Sequence, residues 1–199
     1  MKEWRVDGAP SDEILDELAA VLNAGGVALL PTDTIYGLHA SATNEQAVTR
    51  IAEMKERPAE KSFVVIAASI DQLEALGASV PEILRTIWPA PLTAILVSGQ
   101  STIAARVPDL AWLRALLART GPLVSTSANR SGEPPVTSPE MLERTMQYGL
   151  DAILNQGSCE GKPSTIVDFT NSTGAAPRLV REGDAGFTQF LRKSLWKDL

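Results

Sequence analysis

The sequence predicts an α/β fold: a single domain with a mixed, twisted sheet flanked by helices. Three observations carry this. Short apolar runs bounded by glycine or proline alternate with segments whose apolar residues recur at helical spacing. Several neighbouring strand candidates have no helix between them, which a purely parallel sheet does not allow. The 199 residues, 44% of them hydrophobic, show no repeat, linker or low-complexity run, so one domain over 1–199 is expected.

The elements follow in order. Ser11 or Asp12 caps a helix over about 12–24, with Ile14, Leu15, Leu18, Val21 and Leu22 on one side and Gly25-Gly26 as its stop. "GVALLPTDT" reads as a buried strand over 27–30, and "IYGLHAS" continues extended. Asn44 caps a helix carrying Ala47, Val48, Ile51, Ala52 and Met54 on its apolar side. Pro58 bars αR geometry at Arg57, so this helix ends near Lys55 or Glu56. "SFVVIAA" is a strand. Short helices follow at about 70–77 and 81–88. "PLTAILV" and "IAARVP" are strands, and "DLAWLRALLART" is a helix with Trp112 and Leu116 on one face. "GPLVST" is a buried strand. A helix over about 138–148, strands near 152–155, 164–169 and 178–181, and a closing helix at "GFTQFLRKSLW" complete the chain.

Composition narrows the function. The formal net charge is −6, whereas proteins that mainly grip nucleic acid carry a basic excess. One cysteine, Cys159, allows no internal disulfide and reads as a bystander thiol in a reducing cytosol. With one cysteine and one histidine, no zinc site can be built from those residue types. The N-terminus has acidic residues where a signal peptide needs an apolar core. No apolar stretch reaches the ~20 residues that span a bilayer. A cytoplasmic protein without a membrane partner is expected. The standard phosphate loops and the G-x-S-x-G elbow are absent. A lone histidine, His39, follows an apolar strand and reads as structural.

Three polar stretches lie just past buried strands, where ligands of open α/β sheets bind. "PTDTIYGL" (31–38) offers Thr32, Asp33 and Thr34, an amphipathic Tyr36, and Gly37 for close backbone approach. A polar turn explains it equally well. "KERPAEK" (55–61) carries Lys55, Arg57 and Lys61. If Pro58 ends the helix, the three cations can converge on a polyphosphate; otherwise they form a solvated basic turn. "STSANRSG" (125–132) supplies hydroxyls and an amide that orient a ligand, or simply form side-chain-stabilised turns. Arg106, Arg181 and Ser164-Thr165 also sit at strand ends. Together these features suit an anionic ligand with a polar body, such as a nucleotide.

The ordered set of stretches is specific where each piece is not. "LLPTDTIYGLHAS…KERPAEKSFVVIAA", "WPAPLTAIL", "AARVPD", "GPLVSTSANRSGEPP" and "STIVDFT…RLVREG" resemble the YrdC-like family of threonylcarbamoyl-AMP synthases over about residues 12–183, in its short single-domain form. The resemblance implies a concave basic cleft and a reaction of L-threonine, bicarbonate and ATP that yields threonylcarbamoyl-AMP and pyrophosphate. The product feeds threonylcarbamoyladenosine formation in tRNA, through downstream threonylcarbamoyl-transferase proteins and with tRNA or RNA as a further contact. By resemblance, Thr34, Arg106, Ser127 and Ser164 bind threonine. Lys55, Arg57, Lys61, Thr102, Asn129, Thr137 and Arg181 bind ATP, with Lys55 and Arg57 also in the catalytic role. Mg²⁺ is held mainly by the phosphates, with no protein metal cage.

The chain departs from the family at three places. Ser62 stands where proline is frequent, Ile66 where many relatives have a threonine-binding histidine, and His39 where glycine or alanine is common. Two other readings stay open: an RNA-binding or ribosome-maturation factor using the same cleft, and a family member without synthase activity.

Overall fold

The computed structural model describes residues 1–56, 63–130, 132–171 and 176–196. Ten strands form one mixed sheet: β1 (Lys2–Arg5), β2 (Ala28–Leu30), β3 (Gly37–Ser41), β4 (Val64–Ile66), β5 (Leu92–Ser98), β6 (Ser101–Arg106), β7 (Leu123–Ser127), β8 (Ala152–Asn155), β9 (Thr165–Asp168) and β10 (Arg178–Arg181). Their order across the sheet is β1-β8-β2-β3-β7-β4-β6-β5-β9-β10. The pairs β1/β8, β2/β8, β4/β6 and β5/β9 are parallel and the remaining neighbours antiparallel. This is the mixed sheet expected from strand pairs that lack a connecting helix.

Seven helices accompany it among the described residues: α1 (Asp12–Asn23), α2 (Glu45–Met54), α3 (Ile70–Ala75), α4 (Glu82–Ile87), α5 (Ala111–Thr120), α6 (Arg144–Gln147) and α7 (Ala185–Leu195). Side chains of Ser11, Asn44, Ser69 and Asp184 accept hydrogen bonds from the first-turn amides of α1, α2, α3 and α7. Such caps are worth about 1 kcal/mol each because they satisfy amides that the helix leaves unpaired.

Side-chain alternation divides the core between the two faces of the sheet. On one face Ala28, Leu30, Ile66, Leu123, Ala152 and Leu154 pack beneath α1 and α5. On the other, Leu29, Leu38, Val124 and Ile153 pack with α2 and the 142–150 segment. Further along that second face Val65, Ala94, Leu96 and Ala105 meet residues of α3, α4 and α7. Helices α1 and α5 therefore cover only part of their face. Beyond them the strands β3, β7, β4, β6, β5, β9 and β10 present an open floor.

Two elements differ from expectation. β1 has no apolar run to announce it; Lys-Glu-Trp-Arg is mostly exposed and becomes a strand because its backbone pairs with β8, Lys2 opposite Ala152. Basic side chains on such an edge strand guard it against further pairing. The helix expected over 138–148 is broken into a 3₁₀ turn, Pro139–Met141, and α6. Leu142 between them is extended (φ −68°, ψ 130°), and the break lets Leu142 and Met146 both reach the core. No helix of the described residues is long and apolar enough to cross a membrane.

Leu18 is fully buried in the α1–α5 layer. Leu18→Ala is expected to cost about 2–5 kcal/mol through lost burial and the residual cavity, read as a lower urea midpoint at unchanged slope.

Candidate functional site

A cavity of about 380 Å³ lies on the uncovered sheet face. Its floor comes from alternate residues of neighbouring strands: Gly37 of β3, Ser125 and Ser127 of β7, Val64 of β4, Ala104 and Arg106 of β6, Thr93 and Ile95 of β5, and Ile166 of β9. The walls are the turn Thr32–Tyr36, the loop through Asn129, Glu133 and Pro135, and the Pro163-Ser164 and Val180-Arg181 pairs. The polar stretches past the strand ends predict a ligand there. The cavity instead rests on a sheet face, because the connections that could cover it are turns and loops.

Arg106 dominates the floor. It is 4% exposed, and its Nη1 donates to Thr34 Oγ1 at 3.0 Å and lies 3.5 Å from Asp33 Oδ1. Its Nε has no hydrogen-bond partner among the described residues. Thr34 is fixed in turn: its hydroxyl lies 2.8 Å from Thr32 Oγ1, and Thr32 donates to the Ile35 carbonyl at 2.8 Å. Asp33 Oδ2 accepts from the Asp109 amide at 3.0 Å, which ties the turn to the end of β6.

Arg181 approaches from the far side of the floor. Its Nη2 donates to the Ser164 carbonyl at 2.8 Å and its Nε donates to the same oxygen at 3.2 Å. The Ser164 hydroxyl lies 2.8 Å from Thr93 Oγ1. Burial lowers the pKa of both guanidiniums. The field of Arg106 adds to the lowering at Arg181, whereas Asp33 opposes it at Arg106. Arginine stays charged nonetheless, so a buried cation at Arg106 and an exposed one at Arg181 face the same cavity, and an anion between them is attracted to both.

The S-x-N stretch is organised from within. Lys55, 2% exposed, caps the end of α2, and Glu56 beside it has φ +50°, a left-handed conformation that turns the chain. The Lys55 ammonium donates to the carbonyls of Ser127 and Asn129 and, at 3.2 Å, to Asn129 Oδ1. Ser127 donates to that same amide oxygen, while Asn129 Nδ2 donates to the carbonyls of Arg130 and Glu133. Arg130 pairs with Glu56 at 2.7 Å and with Glu143 at 2.9 Å, fastening the loop to the turn after α2 and to the start of α6.

Of the residues singled out from the sequence, Thr34, Arg106, Ser127, Asn129, Ser164 and Arg181 line one cavity. Lys55 stands behind its wall, gripping the loop. Thr102 lies on the floor side of β6 two residues before Ala104, exposed and outside the cavity lining. Thr137 is also outside the lining, and its hydroxyl donates to Met141 Sδ at 3.2 Å. Arg57, Lys61 and Ser62 lie outside the described residues, so convergence of three cations is not described. Ile66 is fully buried in the α1–α5 core. Cys159 has its Sγ 3.6 Å from the Thr34 carbonyl, against the turn that holds Thr34. Thr93, Thr32 and Ser125 line the cavity without having been assigned a role. For Thr93 a signal existed: it is the sole hydroxyl in the otherwise apolar run from Leu92 to Val97.

Segment 157–163 presses on the Thr32–Tyr36 turn. A Cβ at Gly161 would stand 1.7 Å from the Thr34 carbonyl oxygen. Gly161→Ala is expected to displace the turn, lowering both the melting temperature and the affinity for any ligand that Thr34 contacts, as read by calorimetry.

His39 lies on the same sheet face as the floor, beside Ser125 and two residues along β3 from Gly37, fully buried, with Nε2 3.1 Å from Ser125 Oγ. Burial, helped by the charge of Arg106, pushes its pKa from 6.5 to about 3. The unfolded chain then takes up the proton first, so His39 contributes stability above pH 6.5 that is lost as pH falls toward 3. Unfolding titrations of His39→Gln are expected to lose this part of the acid dependence.

Known proteins share this fold. The model of the Sua5/YciO/YrdC family, described as "Telomere recombination", matches residues 20–183. A curated relative from Stutzerimonas stutzeri, named threonylcarbamoyl-AMP synthase, is 34% identical over 191 residues, covering 88% of this chain and 98% of its own. The crystal structure of Pyrococcus abyssi Sua5 complexed with L-threonine superposes with TM-score 0.86 at 28% identity; the match covers 98% of this chain and 62% of that one. Escherichia coli YciO gives TM-score 0.79 at 26% identity, covering 92% of this chain and 94% of its own.

Proposed function

This chain belongs to the Sua5/YciO/YrdC family, and from that membership we propose that it condenses L-threonine, bicarbonate and ATP into threonylcarbamoyl-AMP and pyrophosphate for tRNA modification. The observation that carries the reading is the pair Arg106 and Arg181 on one cavity floor, with the hydroxyls of Thr34 and Ser164 beside them.

The amino acid binds deep, its carboxylate against Arg106, whose Nε has no other partner among the described residues. Thr34, Ser164 and Ser127 set its orientation. The nucleotide occupies the outer part, with phosphates toward Arg181 and the Asn129 loop. Thr137 and Thr102 meet it at the margins, and Arg57 and Lys61 are proposed phosphate ligands from the family motif. Lys55 acts through the loop it grips, and its charge adds to the field over the phosphates.

A carbamate formed on the threonine amine must attack the α-phosphate. Both reactants are anions, so fixed cations offset their repulsion and stabilise the charge that leaves on pyrophosphate. Glu133 is the one carboxylate among the described lining residues. That fits a Mg²⁺ carried in on the phosphates rather than one caged by protein. When bound, the ion would draw charge from the leaving pyrophosphate.

Incubation with ATP, Mg²⁺, bicarbonate and L-threonine is expected to give pyrophosphate and a threonine-dependent adenylate by mass spectrometry. Absence of that adenylate at high enzyme concentration overturns the reading. Arg181→Ala is expected to lower kcat/KM by roughly 10–100-fold, the worth of one hydrogen bond to a charged group.

A further inference from the structure

His39 and Ser125 form a pair that the synthase reading does not use. His39 is absent from the cavity lining, yet its one side-chain partner among the described residues, Ser125, lies on the floor. The ring occupies space that Gly37 leaves clear: a Cβ there would be 2.9 Å from His39 Cε1. Among the described residues His39 Nδ1 is buried without a well-aligned hydrogen bond, although the backbone of Gly37 and Ala28 acts on the ring in favour of its protonated form.

These facts favour one direction for the bond, whose roles depend on the tautomer. Full burial beside a guanidinium keeps the imidazole neutral, so one ring nitrogen carries the proton. A buried N–H without an acceptor is among the costliest orphans in a protein, and a bare lone pair costs less. The proton therefore sits on Nε2, where an oxygen waits, and His39 donates to Ser125 Oγ. Ser125 is then an acceptor toward His39, and its own proton must turn elsewhere. No acceptor among the described residues takes it, and the side open to it is the cavity. The field there, set by Arg106 and Arg181, selects an anionic oxygen.

We propose that Ser125 is a ligand-contacting residue whose hydroxyl donates to an anionic oxygen of a bound substrate, and that His39 is the positioning residue that aims it. The inference rests on the proposed function only for the identity of the ligands. A carboxylate of the amino acid and a phosphate of the nucleotide share the required chemistry, and binding experiments separate them.

Calorimetric titrations of Ser125→Ala with L-threonine alone and with ATP–Mg²⁺ alone are expected to show roughly 10-fold weaker binding of one ligand, as for one charge-assisted hydrogen bond. The affected ligand identifies the anion. Wild-type affinity for both would overturn the contact while leaving the synthase reading intact.

The chain has a single histidine, so ¹⁵N-histidine NMR of the untagged, ligand-free protein reports this ring alone. A neutral Nε2–H tautomer through about pH 5–9 is expected; the Nδ1–H tautomer overturns the positioning role. His39→Gln keeps an N–H donor and is expected to retain affinity, whereas His39→Leu weakens the same ligand as Ser125→Ala. If His39→Leu does not fold, the tautomer and the glutamine variant decide. A wild-type chain that binds neither ligand overturns the synthase reading and the ligand contact together, and the tautomer in the free protein still decides the His39 half.

Discussion

A guanidinium removed from water has to be answered by opposite charge or by acceptors, and the placement of Arg106 imposes that demand on the elements around it. The Thr32–Tyr36 turn must bring Thr34 and Asp33 to it. The end of β6 must reach back to Asp33 through the Asp109 amide. Segment 157–163 must press on the same turn, with glycine at the closest point. Even so, the described residues leave Arg106 Nε unanswered. Full neutralisation would bury the ion more cheaply but leave it no valence for a ligand. The incomplete answer converts a stability cost into binding capacity.

The same logic explains the division of labour between the cations. Lys55 and Arg106 are almost equally buried but have opposite roles in the geometry. Lysine's ammonium donates into the Ser127–Asn129 loop and holds its shape. The planar fork of Arg106 keeps an edge for something outside the protein. Asn129 resembles Lys55 in this respect. Both ends of its amide bond to protein groups, and what it offers a ligand is the shape of the loop.

Much of the fold was legible because apolar periodicity and caps are local signals. Asn44 ahead of Ala47 and Ile51 fixes α2 within a residue or so, and the α1 and α5 layers follow from their own apolar faces. What failed to show was long-range. β1 exists only because β8 offers it a backbone, and its four residues carry no pattern of their own. The break at Leu142 likewise answers a packing demand that 138–148 does not encode locally. For the site, ordered motifs gave most of the lining but misplaced its geometry. Strand-end polar residues suggested a crevice at the sheet edge, whereas residues alternating along β5, β6 and β7 make a floor. Ser125 and Thr93 passed unassigned because a hydroxyl in a strand looks the same in sequence whether it faces packed helix or open cavity.

The position of β8 has a consequence for how the chain reaches this form. It sits between β1 and β2, pairing Ala152 with both Lys2 and Ala28. The first two strands of the chain therefore have no ladder to one another and are joined only through residues from near its far end. Loop-closure entropy must be met before those contacts give any return, which places this sheet among topologies that assemble late and slowly. On the ribosome, the apolar face of α1 and the edge of β2 wait exposed while more than a hundred further residues are made. The final insertion of β8 locks both ends of the sequence into one cooperative unit, so a nascent chain lacking it holds unpaired strand edges that invite association.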